Sequence, residues 1–490
     1  MHRVPRTMGI NKFMQYFIRK SHEISYLKAI EIPRARSLPI VGTKLDFFLA
    51  GGANMLHEYI DKRHKQLGHI FRERLGGSTD FIFISDPAMI KTVLMSLEGK
   101  YPEHIQPEPW ILYEKLYGAK RGLFFMNGEE WFNNRRIMNP HLLRESSVKW
   151  LEDPIKFTIA KFVRNWQTEA ANGSFKPDLE TDFYRLSTDV IISVLLGTDS
   201  GLTASSHYDD LLHEFSDSVK DVFKNTNKLY LLPVTWCQYL NLKIWRDFKE
   251  SVDNSLFLAK KIVQEMLTLK DKNSGLIKKL TEENMSEEMI TRIVADFVIA
   301  AGDTTAYTLI WNLYLLSKYE NGCNEIRERG LTCVPNYIKE SMRLYPVAPF
   351  LTRILPKDSK LGCYQLGKGT PIIASIYTSG HSEKNFSKAD SYLPYRWDRN
   401  DSRKKDLENH ISSASLPFAV GVRSCIGKKI AMTTLSEAIY QITSSFDINC
   451  MNKDPVKAIC SQILVPEKPT ILITSSLNKI YCISINIYTH

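Results

Sequence analysis

Phe418-Ala419-Val420-Gly421-Val422-Arg423-Ser424-Cys425-Ile426-Gly427 is the stretch from which the fold and chemistry of this chain are read. A cysteine thiolate is a strong electron-donating ligand for iron and needs an apolar pocket around it. Glycines at 421 and 427 let the backbone turn tightly and bring amide N–H groups toward a sulfur. Phe418 can cover the ligand, and Arg423 can pair with a carboxylate of a bound group. A helix starting just after Cys425 points its positive end at the thiolate. The spacing therefore marks Cys425 as a metal ligand, with Phe418, Gly421, Arg423 and Gly427 as its cradle.

Three further segments carry chemistry. In Ala300-Ala301-Gly302-Asp303-Thr304-Thr305 an acid sits beside a hydroxyl inside an apolar helical pattern. That is costly unless the pair is used or satisfied, and Asp303 with Thr304 suits a proton relay through water. Glu340 and Arg343 are three residues apart and share a helix face; Arg396 follows in Tyr392-Leu393-Pro394-Tyr395-Arg396-Trp397. Trp131 and Arg135, four apart, also share a face.

The remaining sequence sets limits. The chain has 490 residues and a formal net charge of +10, enough for a large core and a basic surface. It shows no zinc-finger spacing, no basic heptad region and no RNA-binding aromatic motif, so nucleic acid is not an expected partner. Its eight cysteines are scattered with no CxxC pair, the pattern of a reducing compartment. Residues 1–32 read as a leader: Arg3, Arg6, Lys12, Arg19, Lys20 and Lys28 stand against few acids, and Ile10, Phe13, Met14, Phe17 and Ile18 recur at helical spacing. A basic, acid-poor, amphipathic start matches a mitochondrial transit peptide, and no run of about 20 apolar residues is present there.

Periodicity predicts helices over 54–67, 149–171, 181–197, 249–270, 286–318, 334–345 and 427–446, and short strands over 81–85 and 371–376. Lys270–Ser286 is charged and polar, a surface linker by composition. Residues 33–475 are expected to form one large domain, mainly α with a small β region, followed by an atypical tail over 476–490.

The ligand loop, Glu340-x-x-Arg343, the Arg396 segment and the Asp303-Thr304 helix together resemble the cytochrome P-450 superfamily along most of the chain. The resemblance implies that fold, with haem b (iron protoporphyrin IX) held by the Cys425 thiolate. It implies Glu340, Arg343 and Arg396 as a buried structural network, and Trp131, Arg135, Arg353 and Arg423 as contacts of the haem propionates. It further implies hydroxylation of an unactivated C–H bond with dioxygen and electrons from a ferredoxin. The family usually has Gly where Ala301 stands and a variable residue at Gly302; the small volume is kept. Lys339, Lys428 and Lys429 resemble the basic residues with which the mitochondrial branch docks an acidic, adrenodoxin-like ferredoxin served by its reductase. That branch implies the matrix side of the inner mitochondrial membrane, peripheral membrane association and a steroid substrate. The runs around Gly68–Gly77, Lys120–Asn139 and Phe297–Thr305 are similar to insect ecdysteroid-forming enzymes, carbon-2 hydroxylases above all, with carbon-22 hydroxylation as the alternative. A haem- or sterol-binding chain without catalysis is a different class of reading. It is prompted by the 35 residues from Thr305 to Glu340, fewer than the family uses, where Tyr319–Cys333 looks shortened.

Overall fold

The computed structural model describes residues 27–475 except 39–41, 76–78, 146–147, 172, 230–231, 269–273 and 470. Most of the predicted leader and the whole predicted tail lie outside the described residues. Helices carry most of the described chain, and four small sheets the β part.

The organising element is α8, Glu287–Lys318, in a series with α1 (Leu56–Leu67), α2 (Gly128–Leu142), α3 (Val148–Ala170), α4 (Leu179–Leu196), α5 (Thr198–Leu229), α6 (Lys243–Thr268) and α7 (Leu276–Glu282) before it. It is followed by α9 (Gly322–Arg329), α10 (Val334–Leu344) and α11 (Lys428–Ser445). Ser286 caps α8, its hydroxyl accepting the Met289 N–H at 3.3 Å, and Glu287 and Glu288 stand in the positive first turn. From Ile290 to Leu316 the helix is apolar on nearly all sides, the pattern of a helix surrounded by others. It packs on α4, α6, α10 and α11. Among the described residues it alone is long and apolar enough to cross a bilayer, and its burial shows it to be the core helix of this fold. Asp178 caps α4 through the Thr181 N–H at 3.3 Å.

The largest sheet has four strands in the order Ile70–Glu73, Phe81–Ile84, Pro371–Ser375, Phe350–Ile354. The register pairs Ile70 with Ile84 antiparallel, Phe83 with Ile373 in parallel, and Thr352 with Ile373 antiparallel. Phe71 and Phe83 stack on one face with ring centroids 5.0 Å apart. This sheet places Arg353 at the edge of the site described below.

The helices and strands expected from periodicity are all present, with ends shifted by a few residues. The predicted linker is a correction. Leu276, Ile277 and Leu280 form an apolar stripe within it, and all three are fully buried in α7. Lys278, Lys279 and Glu282 make its composition look like a surface loop, while the i, i+1, i+4 spacing of the apolar residues builds an amphipathic helix. Gly275 fits where a Cβ would lie 2.3 Å from the Leu195 carbonyl oxygen, so the chain there is pressed against the end of α4. Between α8 and α10 stands only α9 and one turn of 3-10 helix, Leu331–Cys333. Arg327 ties α9 to the far end of α11, its Nε donating to the Thr443 carbonyl at 2.7 Å and Nη2 to Phe446 at 2.8 Å.

Candidate active site

The ligand loop is a closed turn. The Cys425 N–H donates to the Phe418 carbonyl at 2.8 Å and the Ser424 N–H to Gly421 at 3.2 Å. Gly421 has φ +83°, and a Cβ there would lie 2.0 Å from the Leu94 carbonyl oxygen, so only glycine fits. Ala419 takes φ +55°, an uncommon conformation for a residue with a side chain. The first turn of α11 follows directly, with the Gly427 N–H oriented toward the Cys425 sulfur.

Cys425 combines two properties that exclude each other at an ordinary surface. It lies deep in the protein, yet its side chain is open. The thiol therefore faces an internal cleft. Depth pushes its pKa up, opposed by the Gly427 N–H and the charges of Arg135 and Lys428. The α8 residues Ile299, Ala300, Ala301 and Thr304 are likewise open or part-open, although Val298, Gly302 and Thr305 beside them are buried. In a helix otherwise enclosed, this open stripe marks a cleft wall.

Beside Cys425 lies a concentration of buried positive charge. Arg135 donates Nη2–H to the Ser424 carbonyl at 2.6 Å and Nε–H to Asn139 at 2.7 Å. Arg423 donates to the carbonyls of Pro102 at 3.0 Å, of Phe124 at 3.4 Å and of Met126. The Trp131 ring lies under both, 5.9 Å from the Arg135 guanidinium and 4.7 Å from that of Arg423. Arg353 pairs with buried Glu98 at 2.6 Å and keeps Nη2 without a partner. Burial, then Arg353 and Arg135, press the Arg423 pKa down to about 9. Burial, then Arg423, press His104 down to about 3. Two buried guanidiniums, those of Arg135 and Arg353, and the half-buried Arg423 against one buried carboxylate are an arrangement that a bound dianion would balance. The donor set thus fits a haem: a thiolate, a cleft walled by small residues, and cations for two propionates.

Asp303 is pushed up to about 6 by burial, against the lowering charge of Lys220. Lys220 lies 3.7 Å from Glu180, which also accepts the Tyr307 hydroxyl at 3.0 Å, and the charges of both Lys220 and Glu180 reach Asp303. The Thr304 hydroxyl donates to the Ala300 carbonyl at 2.6 Å. At Gly302 a Cβ would stand 2.8 Å from the Tyr184 ring. A side chain at position 302 would have to displace the end of the Tyr184 ring.

On the opposite side Glu340 is fully buried and accepts five hydrogen bonds. They come from Arg343 Nε at 2.9 Å and Nη2 at 2.8 Å, Arg396 Nε at 2.8 Å, Trp397 Nε1 at 2.8 Å and the Leu393 N–H at 3.0 Å. Burial alone would raise this carboxyl, but Arg343 and Arg396 hold it below its ordinary range. Arg343 also caps the carbonyls of Gly380, Ala389 and Ser391. At the surface Lys339 and Lys428 are neighbours: burial, then the Lys428 charge, holds Lys339 below the usual lysine range. Lys429 follows on α11, half-buried.

Sequence reasoning missed Glu98, His104 and Trp397 as members of these networks. Trp397 lay inside a quoted motif, while Glu98 gave no local signal because its partners Arg353 and Val422 lie hundreds of residues away, and His104 pairs with Asn127, 23 residues on. Phe350, half-buried on the edge strand, packs against the aromatic cluster of Phe71 and Phe83 over the sheet.

The model of the family described as Cytochrome P450 matches residues 32–474. The chain is 37% identical over 463 residues to "Cytochrome P450 315a1, mitochondrial" of Drosophila melanogaster, covering 90% of this chain and 88% of the relative. It is 27% identical over 457 residues to the 1,25-dihydroxyvitamin D(3) 24-hydroxylase, mitochondrial, of Rattus norvegicus, covering 89% and 87%. It is 26% identical over 462 residues to the cholesterol side-chain cleavage enzyme, mitochondrial, of Oncorhynchus mykiss, covering 88% of each. A match over nearly the whole described chain, on a mainly helical structure with small sheets, makes this protein a member of the cytochrome P450 family and a monooxygenase of its mitochondrial branch.

Proposed function

We propose that this chain is a mitochondrial steroid hydroxylase that places a hydroxyl on carbon 2 of an ecdysteroid precursor. The observation that carries the monooxygenase chemistry is the deep, open Cys425 thiol beside the buried Arg135 and Arg353 and the half-buried Arg423. When bound, haem b supplies an iron centre that activates dioxygen. In this reading the Cys425 thiolate would hold its iron, with Phe418, Gly421 and Gly427 as the cradle. Trp131 and the three arginines would hold its propionates. Asp303, protonated part of the time near neutrality, and Thr304 would hand protons into the cleft. Glu340, Arg343 and Arg396 would steady the fold around the ligand loop.

Lys339, Lys428 and Lys429 form the docking face for an acidic ferredoxin with its reductase, and such docking weakens with salt. Trp236 and Tyr239 on the helix Val234–Tyr239, with Leu240, are 68%, 84% and 60% exposed, and Lys243 and Arg246 follow. Aromatic and apolar side chains rimmed by cations suit peripheral contact with the inner membrane on the matrix side. Steroid chemistry is favoured by the mitochondrial relatives named above and by the apolar wall of α8. The carbon-2 position rests on similarity in the runs Gly68–Gly77, Lys120–Asn139 and Phe297–Thr305.

The test is incubation of purified holoenzyme, ferredoxin and reductase with 2-deoxyecdysone, products being identified by mass spectrometry against standards. A carbon-2 alcohol is the expected product. Hydroxylation on the side chain alone rejects the position and keeps the class, and bound haem without any steroid product rejects steroid hydroxylation.

A further inference from the structure

We infer that Arg121 anchors the polar end of an otherwise apolar substrate, donating from Nη1 to a hydroxyl or carbonyl oxygen. This rests on the steroid reading of the site and adds to it the residue that sets orientation.

Arg121 is buried, and its Nη1 has no hydrogen-bond partner in the protein. A buried guanidinium donor left without an acceptor is costly and is seldom kept without a use. Asp296 is the nearest charge, but it stands 3.8 Å from Nε, beyond hydrogen-bond distance. Its other oxygen accepts the Phe124 N–H at 2.9 Å. The acid therefore spends part of its charge on the loop backbone and neutralises Arg121 without saturating it.

The side chain is held rigidly. Its guanidinium lies 4.6 Å from the Trp110 ring and 5.0 Å from that of Phe125, and these two rings stack on each other at 4.8 Å. Its backbone is pinned to α8. Arg292 donates to the Arg121 carbonyl at 3.0 and 2.7 Å, and at Gly122 a Cβ would lie 2.0 Å from the Arg292 carbonyl oxygen. A donor fixed in this way loses little freedom when it binds an acceptor.

Arg121 also borders a small cavity whose other walls are nearly all apolar: Trp110, Phe125, Val219, Val222, Phe223 and Ile299, with Ser255. The cavity holds little more than one oxygen-sized atom, so it suits the end of a ligand. Ile299 lies five residues, about 7.5 Å of helix at 1.5 Å per residue, before Thr304, so the cavity borders the helix that carries Asp303 and Thr304. One polar tether at the far end sets which carbon faces the oxidant, which apolar walls alone do poorly.

The test uses a steroid carrying oxygens at both ends and analogues lacking each oxygen in turn, with affinities measured by equilibrium dialysis on the wild-type holoenzyme. Removal of one of these oxygens is expected to weaken binding about 10- to 100-fold, the range for a hydrogen bond to a charged group. In Arg121→Met the same pair should bind equally, both at the weaker level, with α8 spectroscopy and haem content unchanged. Arg121→Lys, which keeps the charge and loses the planar fork, should retain part of the discrimination and serves if the methionine variant does not fold. Equal binding of all analogues by the wild type, or unchanged discrimination in both variants, overturns the anchor while leaving steroid hydroxylation standing. Failure of the wild type to bind any steroid overturns both.

Discussion

The Thr304 hydroxyl donates to the carbonyl oxygen of Ala300, 2.6 Å away and one turn earlier on the central helix. Its proton is engaged, while its lone pairs are free to accept from water in the cleft. Thr304→Ala is therefore expected to leave haem and substrate binding near normal and to divert electrons into peroxide or water. General acid–base help is worth about 10²-fold or more. Product formed per NADPH oxidised is the measurement, and an unchanged ratio would give Thr304 a structural role through Ala300.

Cys425→Ser should abolish the strongly red-shifted Soret band of the reduced carbon monoxide complex. A serine oxygen keeps the shape of the loop without the soft donor that shifts the band. Persistence of that band would remove Cys425 from the iron.

Glu340→Ala leaves Arg343 and Arg396 as buried, unpaired cations. Breaking a buried pair in this way costs about 3–5 kcal/mol, a large share of the stability of a typical domain. We expect loss of haem retention and a marked fall in Tm, and Arg396→Lys should fall in the same direction because Lys cannot reproduce the fork. Wild-type Tm and haem content in Glu340→Ala would contradict the network's role.

Reversing charge at Lys428 and Lys429 together should raise the apparent ferredoxin constant and flatten its salt dependence. Single exposed charges are worth roughly 0–1 kcal/mol, so the pair is the fair test. A normal salt response would move docking toward Lys339 alone, and steady-state reduction at several ionic strengths separates the two.

Stability against pH has opposing contributions. His57, His64 and His410 have pKa values lowered to about 4, with burial as the largest cause in each. Between there and the ordinary histidine range the folded chain holds fewer protons than the unfolded one, so these groups make stability rise with pH. Asp303, raised to about 6, does the reverse: from the ordinary carboxylate range up to about 6 the folded chain keeps a proton that the unfolded chain releases, and stability falls as pH rises. Asp303→Asn should therefore steepen the rise of Tm from pH 4 to 6. An identical profile would mean that Asp303 titrates normally.

Much of this arrangement is legible in the sequence because its key parts are local. Phe418 to Gly427 is a continuous loop, Glu340 and Arg343 share one helical turn, and Asp303 adjoins Thr304. The main helices are legible for the same reason, since three- and four-residue spacing is written along the chain. What escaped notice is long-range or mixed in signal. The pairing of Glu98 with Arg353 spans 255 residues, and no pattern around Glu98 announces it. The stripe Leu276, Ile277 and Leu280 was hidden by the lysines between its members. The close approach to Gly302 comes from Tyr184 on another helix.

The short stretch Tyr319–Cys333 has a consequence for how the chain tolerates change. Position and tilt of the Glu340 helix are dictated by Arg343, Arg396 and Trp397 gripping a single carboxylate, while Arg327 and the hydrogen bond from Tyr337 to Glu325 at 2.6 Å fasten α9 to α11 and α10. The connector is a packed helical brace with Ile326 buried, so residues added to it or removed from it leave the Glu340 helix in place only where these fastenings survive the edit.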